Sequence, residues 1–105
     1  MRLPCEIAVK KILPTVRALI AYILVHDYKL SIYSTAKLMD LTPAAISNYV
    51  SGGRGAKYRE LIESDPELRE IITRIARKLV EKGATEEVYS DICRACTLLR
   101  SKCPN

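Results

Sequence analysis

LSIYSTAKLMDLTPAAISNYVSG, residues 30–52, decides the fold, because its punctuation predicts two short helices joined by a tight turn. The first helix is expected over about residues 31–38. Thr35 or Ala36 suits its close helix contact, and Met39 and Leu41 are core plugs on either side of Asp40. Thr42 then supplies an N-cap oxygen, and Pro43 falls at the first helical position, where its missing N–H costs nothing. The second helix, 43–50, has Ile46 and Val50 at i, i+4 for the core, with Ala44, Ser47 and Asn48 on its other face. Gly52 and Gly53 are expected to stop it.

Small and polar residues on one face of a short capped helix are the groups that approach base edges. Asn bonds bidentately to adenine, and Ala offers a methyl to thymine. The expected DNA-facing residues are therefore Thr42, Pro43, Ala44, Ser47 and Asn48, with Lys37, Tyr49, Arg54 and Lys57 holding phosphates. Charge distribution agrees with this assignment. Of the net charge of +5, residues 1–59 carry nine Lys or Arg against three acids, whereas residues 60–105 carry eight against nine. A positive field on the half that holds the turn suits salt-dependent attraction to phosphate, although a basic face can also be merely solvated.

Outward from the turn, helical periodicity continues in both directions. Upstream, Val16, Leu19, Ile20, Ile23 and Leu24 make one wide apolar stripe over 14–26, and residues 6–12 read as a separate turn of helix broken at Pro14. Downstream, Tyr58, Leu61 and Ile62 mark a short helix ending near Ser64. Asp65 and Pro66 start a longer one through Leu68, Ile71, Ile72, Ile75, Ala76, Leu79 and Val80, which Gly83 ends. Thr85 caps a last helix reaching about Ser101, with Glu86 and Glu87 favourable to its dipole. Its expected apolar stripe is Val88, Tyr89, Ile92, Cys93, Cys96 and Leu99.

A chain of 105 residues, 49% of them apolar, can bury one core. Phe and Trp are absent, so aliphatic residues must fill it. No stretch approaches the roughly 20 apolar residues of a membrane span. The start, MRLPCEIAVKK, lacks a signal-peptide run, so a cytoplasmic location is expected. There is no Ser-His-Asp constellation and no Gly-rich phosphate loop, and one histidine, His26, sits at a helix end where it suits capping. An enzyme is not expected. Glu60, Glu63, Asp65, Glu67 and Glu70 read as a solvated helix face.

The spacing of Ser31, Ala36, Met39, Leu41, Thr42, Ile46, Ser47 and Gly52 resembles the helix-turn-helix of the phage-repressor-like (Xre/Cro) regulators. Two positions depart from that pattern. Asp40 stands where the turn usually has Gly, and Pro43 where a base-reading Gln is usual. Nearly the whole chain also resembles small archaeal proteins of this class, through Pro4-Cys5-Glu6, Leu13-Pro14-Thr15-Val16-Arg17-Ala18, Ser51-Gly52-Gly53-Arg54-Gly55 and Cys93-Arg94-Ala95-Cys96. The resemblance implies an all-α fold, a five-helix repressor-like domain with an additional C-terminal helix. It also implies a transcriptional regulator that binds double-stranded DNA, and two-half-site operators imply a homodimer. The expected organisation is an N-terminal segment, 1–13, lying near the last helix, a DNA-binding domain over 14–82, and a cysteine-bearing element over 84–105 that is a candidate dimer interface.

Four cysteines carry a second expectation. Cys93 and Cys96 share a helical face, and Cys103 lies about two turns on; Cys5 joins them if the N-terminal segment packs on the last helix. Four thiolates match an iron–sulfur cluster or tetrahedral zinc. Disulfides are the rival, since a chain with no Gln and two Asn is compatible with a hot-growing source, where cytosolic bridges occur. Plain packing is the third reading. A redox-responsive regulator follows from the first two, and a non-catalytic protein–protein adaptor with structural disulfides is the alternative function.

Overall fold

The computed structural model describes residues 4–51 and 59–101, with side chains over 13–51 and 59–100. Its helices are α1 Pro4–His26, α2 Ile32–Met39, α3 Pro43–Val50, α4 over 59–64, α5 Pro66–Lys82 and α6 Glu86–Ser101, and no strand occurs among the described residues. The fold is all-helical, as expected.

Helix α1 is the hub, packing against α2, α3, α5 and α6. Its Val16, Leu19, Ile20, Ile23 and Leu24 join Ile62, Leu68, Ile72, Ile75, Ala76, Leu79, Val88 and Ala95 in the main core. Each fully buried Leu or Ile contributes about 1.5–3 kcal/mol. A smaller cluster forms where Ala21, Ala36 and Ile46 meet at the contact of α1, α2 and α3. Two alanines there let the backbones approach closely, and Ile46 fills the remaining space.

Two expectations need correction. Helix α1 runs through Pro14 instead of breaking there. Pro14 removes one intrahelical bond, to the Lys10 carbonyl, and the turns on either side keep theirs, so the helix carries through. On α6, Val88, Ile92, Cys96 and Leu99 of the expected stripe pack on the core, whereas Tyr89 and Cys93 are exposed and Asp91 and Ala95 are buried instead. Helix α6 packs on α1 and α5 at once, and that double contact selects the face holding a buried acid.

Helix ends follow the sequence closely. Asp65 caps α5 by accepting from the Leu68 amide at 3.2 Å, with Pro66 at the first helical position. Gly83 ends α5 at φ 77°, a conformation that glycine adopts without strain. Thr85 accepts from the Val88 amide at 3.3 Å to open α6.

Candidate nucleic-acid interface

The α2–α3 unit is fixed from within by four local devices. Ser31 caps α2, its hydroxyl oxygen accepting from the Ser34 amide at 3.0 Å. Asp40 closes α2 in the left-handed region at φ 55°, ψ 46°. The Leu41 amide then reaches back to the Ala36 carbonyl at 2.9 Å, and Asp40 donates to Lys37 at 3.3 Å, the paired closure of a Schellman motif. Thr42 opens α3 by accepting from the Ala45 amide at 3.1 Å. Between two capped helices, the three residues Asp40, Leu41 and Thr42 have little freedom left.

Burial orients α3. Ile46 is fully buried, with Val50 and Tyr49 packed partly against the same cluster, so the opposite side shows Ala44, Asn48 and Ser51 to solvent. Thr42 and Pro43 are exposed at its start. Ser47 is half-buried rather than open, and Tyr49 packs inward, which leaves Ala44 and Asn48 as the accessible i, i+4 pair. On α2, Lys37 is exposed one turn after Tyr33, which is 75% exposed. Arg54, Lys57 and the Gly52–Gly53 stop lie outside the described residues. Arg59, also basic and flanking, is engaged by Glu63 at 3.2 Å on the surface.

The cysteines divide. Cys93 is exposed and Cys96 half-buried on α6, both as free thiols. Burial pushes the Cys96 thiol up, neighbouring Cys93 adds to the shift, and the Arg17 cation opposes it. Two thiols are half of a four-thiolate set. The side chain of Cys5, and Cys103 altogether, lie outside the described residues. Among the described residues no group of three His, Cys, Asp or Glu side chains is arranged for a metal, and no helix is long and apolar enough to cross a membrane.

Sequence reading missed one polar cluster. Lys78 on α5 donates to Asp91 at 2.7 Å and pairs with Glu87 at 2.6 Å, tying α5 to α6, while Arg94 approaches Asp91 at 3.9 Å. The hydrogen bonds that Lys78 donates to Asp91 and then to Glu87 raise its pKa, and the bond from Lys78 lowers that of Glu87. Only Asp91 within an otherwise apolar spacing could have hinted at this. His26 lies against Tyr22, ring centroids 4.3 Å apart, at the end of α1.

Comparison of the chain with known protein families, with curated proteins and with solved structures gives no match, so the meaning of the site rests on its own residues.

Proposed function

We propose that this chain is a sequence-specific, double-stranded DNA-binding regulator of transcription, with α2 and α3 as a repressor-like helix-turn-helix and a homodimer as the working form. The observation that carries this reading is the capped α3, whose Ile46 is buried while Ala44 and Asn48 face solvent on the opposite side. Such a helix presents an amide and a methyl to base edges. Lys37 and the excess of cations in residues 1–59 supply the phosphate attraction. In this assignment Thr42 and Pro43 set the entry of α3 rather than read bases, since the Thr42 oxygen is used as a cap. Ser47 and Tyr49 contribute from the edge of the face.

The test is selection of bound duplexes from a random pool, followed by titration of the selected and of unrelated DNA. Asn48→Ala is expected to weaken the selected duplex by about 1–3 kcal/mol and unrelated DNA far less. Equal loss on both removes Asn48 from the base-reading set, and absence of salt-dependent duplex binding transfers the fold to the adaptor role. The cysteines on α6 belong to the proposal as its redox-responsive part, through an iron–sulfur cluster or a thiol–disulfide switch. Iron, sulfide and zinc content of protein purified without oxygen decides between these, because only stoichiometric iron and sulfide support a cluster.

A further inference from the structure

We propose that the exposed face of α6 docks a second copy of this chain, the two α6 helices lying antiparallel with Cys93 on the two-fold axis. The inference rests on the homodimer in the reading above and names its interface. At 100° per residue, Glu86, Tyr89, Ser90, Cys93, Cys96, Thr97 and Arg100 form one stripe centred on Cys93. Of these only Cys96 is partly buried, and Tyr89 is 58% exposed. A shallow groove lined by Ser90, Cys93, Arg94, Thr97 and Leu98 runs along the same side.

Charge order along the stripe selects its occupant. Glu86 stands seven residues before Cys93 and Arg100 seven after it, so an antiparallel copy sets each acid beside the other chain's base. Neither side chain has an ion-pair partner among the described residues. A parallel copy would set like charges together. The same dyad brings Tyr89 over Cys96 of the second copy and Ser90 over its Thr97. Thr97 suits a close contact because its hydroxyl donates to the Cys93 carbonyl at 3.0 Å, which leaves its methyl outward. Arg94 flanks the stripe, leaning toward Asp91 of its own chain.

The geometry also gives Cys93 a chemistry. Helices packed about 10 Å apart, each with Cα atoms about 2.3 Å from its axis, bring two Cα atoms on the dyad to about 5.5 Å, within the disulfide range. A two-electron oxidant such as diamide then joins the copies. Each thiol gives up its proton, one Sγ–Sγ bond forms, and the two electrons and two protons reduce the azo group to the hydrazine.

Sedimentation equilibrium of the reduced, metal-free full chain without DNA tests the pairing. Glu86→Arg and Arg100→Glu are each expected to weaken the dimer about tenfold or more, and the double exchange to restore it to within about threefold of the parent. Circular dichroism follows folding in each variant. A chain with Cys93 as its sole cysteine should give a covalent dimer with diamide, and one with Cys96 alone should not. A chain that stays monomeric, or a dimer that neither charge reversal moves, overturns the proposal. A monomer that still binds selected duplex would remove the interface while leaving the DNA reading intact.

Discussion

Lys29 and Asp40 are the two described non-glycine residues with positive φ, at 59° and 55°, Lys29 shortly before α2 begins and Asp40 directly after it ends. A left-handed lysine costs roughly 1 kcal/mol because its Cβ crowds the following carbonyl. Asp40 is better suited, since short polar side chains tolerate this region and its amide is already spent on closing α2. Lys29→Gly is therefore expected to raise stability by about 0.5–1 kcal/mol, read as a higher melting temperature. Thr42→Ala has the opposite sign. Losing the oxygen that holds the Ala45 amide should cost about 1 kcal/mol, checked by urea unfolding. Thr42 borders the turn, so its effect also measures how firmly α3 is presented.

At the scale of elements, α5 and α6 are joined by apolar packing and by the Lys78 cluster, and the latter makes their junction pH-dependent. Glu87 titrates below its ordinary value of 4.5 because Lys78 donates to it. Its contribution is present above that value and is lost as pH falls through the lowered one. Lys78 titrates above its ordinary value of 10.5, so its contribution is present below that value and is lost as pH rises through the raised one. Stability from this cluster should be flat between about pH 5 and 10 and fall at both ends. Glu87→Gln should flatten the acid limb of melting temperature against pH; an unchanged limb would assign the acid loss to other carboxylates. Helix α6 also shows why amphipathic patterning misled at Tyr89 and Cys93 while Val88, Ile92, Cys96 and Leu99 packed as expected. A Tyr and a Cys looked apolar enough for the core, yet the face with Asp91 went inside because Lys78 was there to meet it.

For the whole molecule, about 41 × 31 × 23 Å, the proposed DNA reading calls for two copies, because one short helix would span too few bases for high affinity and a second copy would extend the footprint to a second half-site. Affinity for duplex should fall linearly in log–log form with salt. Lys37→Ala is expected to reduce that slope by about 1 without changing preference among sequences, measured by anisotropy titrations at several salt concentrations. A change of sequence preference instead would make Lys37 a base contact.

The sequence by itself determined the helices from residue 14 onward and most of their ends, because caps, N-terminal prolines and Gly83 act within a few residues of where they stand. It also determined which side of α3 is buried, since Ile46 and Val50, at i, i+4, are the large aliphatic residues of this short helix. Only the tertiary structure decided that α1 passes through Pro14, that Ser47 and Tyr49 turn partly inward, and that α6 buries Asp91 and exposes Cys93. Those outcomes depend on neighbours distant in the chain. A local pattern states how apolar each face is, whereas the choice among comparable faces belongs to the helices that pack against it and to the charge waiting on the other side.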